Sequence, residues 1–111
     1  MVDPGRAEAV CSAGGIAVGQ MLELGRKELP ADCYVFKHST RCPASASAAE
    51  VVRRHLFDLP LFRVNVIEQR ELSDWIASAY AVVHESPQLL EIRGGVVRKV
   101  SNHYAIREGS I

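Results

Sequence analysis

No single kind of charge or residue dominates this chain. Thirteen Lys+Arg balance thirteen Asp+Glu, for a formal net charge of zero. Phosphate-contact binding to nucleic acid and polybasic anchoring to a membrane both draw on a basic excess, so the missing excess argues against either partner. No run approaches the roughly 18 consecutive apolar residues of a transmembrane helix. Residues 7–24 imitate a leader only superficially, because no basic start exists beyond Arg6 and Ser12, Gly14, Gly15, Gly19 and Gln20 interrupt the apolar stretch. The expected location is the cytoplasm. Cysteine is scarce and odd in number, three in 111 residues, which excludes a secreted disulfide scaffold. Neither Cys-x2-Cys nor His-x3-His spacing occurs, so no metal ligand is expected.

What is present suits one small globular domain: 48% apolar and 23% charged residues in 111 positions. Residues 1–15 read as an N-terminal arm and 16–111 as the domain. Met21, Leu24 and Leu29 at near-helical spacing predict a helix over 16–28, weakened by Gly19 and Gly25. Residues 33–37 (Cys-Tyr-Val-Phe-Lys) are β-rich and mostly apolar, as in a strand buried on both faces. Ala48, Val51, Val52 and Leu56 share one stripe and predict a helix over 44–57. Residues 61–67 read as a strand. Leu72, Trp75, Ile76, Ala79 and Tyr80 predict a helix over 71–80. Residues 88–93 and 96–101 then form two strands joined by Gly94-Gly95, whose tolerance of positive φ suits a two-residue hairpin turn. A closing helix is expected over 102–108 with Asn102 as its cap.

Strand–helix–strand implies a parallel pair, and the terminal hairpin adds antiparallel strands. The economical packing is α/β: a mixed four-stranded sheet with helices on both faces, the thioredoxin-like plan.

Cys42 falls between a predicted strand and a predicted helix and is followed by Pro43. Proline suits the first helical turn, where its missing N–H has no partner to lose. That places Cys42 at a helix start, where free amides and the helix dipole favour thiolate over thiol. Arg41 adds a positive charge beside it. Three residues on, where a dithiol oxidoreductase carries its second cysteine, stands Ser45. It can donate a hydrogen bond to the Cys42 sulfur but cannot form a disulfide. Cys33 opens the preceding strand, roughly 16 Å away along it, and reads as core. Cys11 lies in the arm. In a thioredoxin-type plan, Pro87 at the start of the third strand lies across from the cysteine, and the Ser86–Pro87 bond is expected to be cis. The Ser86 backbone is then free to pair with an extended substrate.

Residues 36–45 (Phe-Lys-His-Ser-Thr-Arg-Cys-Pro-Ala-Ser) and 84–88 (His-Glu-Ser-Pro-Gln), with Asn102-His103-Tyr104 near the end, together resemble the monothiol bacilliredoxins, the bacillithiol-system redox-active YtxJ family. The resemblance runs from about Met21 to Ile106. It implies a thioredoxin-like oxidoreductase that removes bacillithiol from S-thiolated client proteins, with bacillithiol or another small thiol as co-substrate and no tightly bound cofactor. It carries catalytic roles onto Cys42 and Ser45 and substrate contacts onto Thr40, Arg41, Pro43, Ser86 and Pro87. The family pattern has Thr and Ile where this chain has Arg41 and Ala44.

Two other classes compete. Monothiol glutaredoxins, which bind iron–sulfur clusters, also have Ser three after Cys, but with Gly-Phe between; here Pro43-Ala44 fills the gap. A non-catalytic thioredoxin-like interaction module would show ordinary Cys42 reactivity. His38 and His84 flank the site on loops and are candidates for tuning the thiolate or touching its cap. His55 reads as a solvated helix residue.

Overall fold

The computed structural model describes residues 21–41, 43–55 and 57–107. Cys42, Leu56, the arm 1–15 with Cys11, and the first part of the expected 16–28 helix lie outside them.

In chain order the elements are β1 (Met21–Glu23), β2 (Cys33–His38), α1 (Pro43–Arg54), β3 (Leu61–Asn65), α2 (Arg70–Ala79), β4 (Gln88–Arg93), β5 (Val96–Asn102) and a 3-10 turn, His103–Ala105. The strands form one mixed sheet in the order β1-β3-β2-β4-β5. β1 and β2 both run parallel to β3, and β4 runs antiparallel to β2 and β5.

Alternation along β2 divides the core between the two faces. Cys33 and Val35 pack with Val64, Leu90 and Ile92 beneath Leu72 and Ile76 of α2. Phe36, with Leu61 and Leu89, packs on the other face against Ala48 and Val52 of α1 and Ile106. The helices therefore cover opposite faces, as expected for the α/β class. The hairpin turns as expected, with φ of 63° at Gly94 and 77° at Gly95.

Three expectations are corrected. Among the described residues the sheet has five strands, not four. The fifth is β1, which occupies part of the segment expected to be helical: Met21, Leu22 and Glu23 lie alongside Leu61, Phe62 and Arg63. Leu24 continues the contact by donating its amide to the Arg63 carbonyl. At the other end, the described part of the expected 102–108 helix, residues 102–107, holds only a single 3-10 turn, and Glu108 lies outside the described residues. Asn102 does not cap it with its side chain, because its Oδ1 instead accepts from Gln88 Nε2 at 3.0 Å. α1 stops at Arg54, so His55 lies beyond the helix and packs its ring on Phe57, with centroids 4.5 Å apart.

Candidate functional site

β2 ends at His38, and Ser39, Thr40 and Arg41 turn the chain toward α1, which opens at Pro43. Serine side chains hold this turn. The Arg41 amide donates to Ser39 Oγ at 3.2 Å, and the Ser39 amide donates to Ser45 Oγ at 3.0 Å. Such local side-chain-to-backbone bonds stabilise non-helical backbone before a helix start. Ser45 is fully buried. Its oxygen receives the Ser39 amide, so its single hydrogen remains for another acceptor. Thr40, Arg41 and Pro43 are exposed around the helix opening.

The Ser86–Pro87 peptide is cis. Pro87 is buried, and its carbonyl accepts the His103 amide at 2.8 Å. His103 Nε2 lies 3.0 Å from the Glu85 carboxylate. Gln88 is opposite Lys37 in the β2–β4 ladder. Ser86 and Pro87 therefore come level with the end of β2 and the turn that leads into α1. The fold brings the two predicted site segments to one end of the sheet. Ser86 Oγ is buried there with no hydrogen-bond partner among the described residues.

The two histidines serve different faces. His38 shares the α1 face with Phe36, at a centroid distance of 5.6 Å. Burial, then the nearby Arg63 charge, lowers its pKa, with Glu23 opposing. Its Nδ1 is buried without a partner among the described residues. His84 belongs to the α2 face: its Nδ1 lies 3.3 Å from Lys37 Nζ and 3.1 Å from Ser73 Oγ. Burial and then the Lys37 charge lower the His84 pKa.

Sequence reasoning passed over Lys37, counted only as part of an apolar strand. It is 0% exposed. Burial pushes its pKa down to about 8, with Asp74 partly opposing. Beside it Gln88, also fully buried, donates to the Val83 carbonyl at 2.9 Å and to Asn102 Oδ1. A polar layer thus underlies the loop before Pro87. The available signal was a lysine inside a strand predicted to be buried on both faces, since such a charge requires a partner.

Cys33 lies at the opposite end of β2, fully buried in the α2-side core. Burial, aided by Asp32, pushes its thiol up to about 12. A thiol so held is a packing group rather than a nucleophile.

Comparison with known proteins agrees with this architecture. A solved structure presented as having a thioredoxin fold, with oxidoreductase activity suggested for it, superposes with a TM-score of 0.71 at 29% identity, covering 83% of this chain and 90% of that one. The family model for the monothiol bacilliredoxin BrxC matches residues 17–111. With that match spanning most of its length, the chain belongs to the monothiol bacilliredoxin family, a thioredoxin-like group of redox proteins.

Proposed function

We propose that this protein is a monothiol thiol–disulfide oxidoreductase that removes a low-molecular-weight thiol, bacillithiol in the first instance, from mixed disulfides on client proteins. The observation that supports this most directly is the junction of β2 and α1: a serine-held turn delivers the chain to a helix opening at Pro43, immediately after Cys42 in sequence. A thiol at a helix start is acidified by the free amides there, and Ser45 in place of a second cysteine makes the chemistry monothiol.

The Cys42 thiolate attacks the small-thiol sulfur of the mixed disulfide. The old S–S bond breaks, and the client leaves as its thiolate, taking up a proton from water. The cap now sits on Cys42. A second small thiol, as thiolate, attacks that cap, releases the symmetrical small-molecule disulfide and restores Cys42. The Ser86 backbone, just before Pro87, pairs with the client's extended backbone, while Thr40, Arg41 and Pro43 line the approach to the cap.

Intact mass after mixing with a bacillithiol-capped model protein tests the reading, beside a glutathione-capped one and a Cys42→Ala control. A bacillithiol-sized adduct on the wild type alone, with the model protein decapped, is expected. Transfer from glutathione alone would keep the mechanism and change the substrate; transfer from neither would end it.

A further inference from the structure

The loop between α2 and β4 carries the Ser86–Pro87 segment, and three buried polar side chains hold it, Gln88 and Lys37 from the sheet and Ser73 from α2, whose Oγ lies 3.1 Å from His84 Nδ1. Gln88 Nε2 donates to the Val83 carbonyl. Lys37, wholly buried on β2, has its Nζ 3.3 Å from His84 Nδ1. An ammonium can only donate, so this contact requires His84 Nδ1 to be the unprotonated, accepting nitrogen. A fully buried ammonium is costly, and a fixed acceptor is the usual compensation. Lys37 and Gln88 face each other across the β2–β4 ladder, so the two attachments enter the loop from one patch of sheet.

We propose that Lys37 is a positioning residue: through its bond to neutral His84 it fixes the loop that presents Ser86 and Pro87 to the client chain, and a proton on His84 releases that loop. This rests on the exchange reaction proposed above for the meaning of the loop, but not for the attachment itself. Protonation would place an N–H on Nδ1, which the Ser73 hydroxyl can accept, but it sets a second positive charge against the Lys37 ammonium and turns that contact from attraction into repulsion. The charged groups acting on His84 are Lys37 from β2, Arg70 and Asp74 from α2, and Glu85 of the loop itself; Glu85 is in turn paired with His103. Lys37 and Arg70 oppose a proton on the imidazole, while Asp74 and Glu85 favour it.

The test uses Lys37→Met, His84→Leu, His84→Asn and the Lys37→Met/His84→Leu double variant of the full chain. Asparagine keeps an acceptor near the Nδ1 position and cannot be protonated. Deuterium uptake of a peptide spanning residues 81–87 should rise about tenfold in rate in Lys37→Met and in His84→Leu, and the double variant should add nothing further. His84→Asn should stay near wild type. In the exchange assay, KM for the capped protein should rise about tenfold with kcat within about twofold, the mark of a misplaced binding edge. Wild-type KM should climb as pH falls through the His84 titration, and the His84→Asn profile should be flatter. Unchanged uptake in Lys37→Met, or additive effects in the double variant, would overturn the proposal. If no capped protein is turned over, the exchange reading fails, and the uptake arm still decides whether Lys37 holds the loop. A Lys37→Met that fails to fold leaves the His84→Leu and His84→Asn comparison to decide.

Discussion

Lys37 and His38 are adjacent on β2, yet the pleat sends one toward α2 and the other toward α1. The lysine has a measurable energetic signature. Its pKa is lowered from 10.5 to about 8, so the unfolded chain holds the proton more tightly than the folded one. Stability from this group is therefore fully present above the unfolded value and lost as pH falls through the folded one. Between about pH 8 and 10.5, wild type should gain up to roughly 3 kcal/mol relative to Lys37→Met, read from urea unfolding at both ends of the window. A flat difference between the two proteins would contradict the burial of this charge. Ser45 makes a second test. Ser45→Ala leaves the buried Ser39 amide without its acceptor, which should cost about 1–3 kcal/mol; an unmoved denaturation midpoint would refute it. Cys33, held up near 12, should resist iodoacetamide in the native protein at pH 8 and label only on unfolding, as followed by peptide mass.

Among the elements, those with strong local patterns were readable in advance. The stripe through Leu72 and Ile76 gave α2, and two glycines between β-rich runs gave the hairpin. β1 was not readable as a strand because its cause is remote. Three residues long, it exists through pairing with Leu61–Arg63, while Met21, Leu24 and Leu29 happen to satisfy helical spacing. The terminal helix failed for a competing bond, since Gln88 claims the Asn102 side chain that would have capped it. At the site, Cys42-Pro43 and Ser86-Pro87 were visible as motifs, but the partner of Ser45 and the role of Lys37 depend on residues packed from elsewhere. The hairpin offers a clean check. Gly95 has φ of +77° and open space where a Cβ would sit. Gly95→Ala should therefore cost only the backbone term, about 1 kcal/mol, seen as a lowered Tm. A neutral result would mean the turn relaxes to another type.

Across the whole molecule, the two ends of the sheet have different duties. The site segments gather where β2 ends and β4 begins. At the other end Arg93 bridges Asp58 at 2.9 Å and Glu91 at 2.6 Å, and Tyr34 donates to Asp58 at 2.9 Å. Asp58 is exposed and its partners are only partly covered, so water screens this pairing and it contributes little to stability. Asp58→Asn should leave exchange kinetics unchanged and serves as the distal control. The same sheet also sets an order in time. β4 and β5 meet across two glycines, whereas Glu23 of β1 finds its Arg63 partner across 40 residues of chain. Closing the longer loop carries the larger entropy cost before any contact compensates for it. The hairpin should thus be formed in the folding transition state and β1 should dock late. Substitutions at Gly95 would then slow folding, and substitutions at Leu22 would mainly speed unfolding. The strand hardest to find in the sequence would also be the last to arrive in the fold.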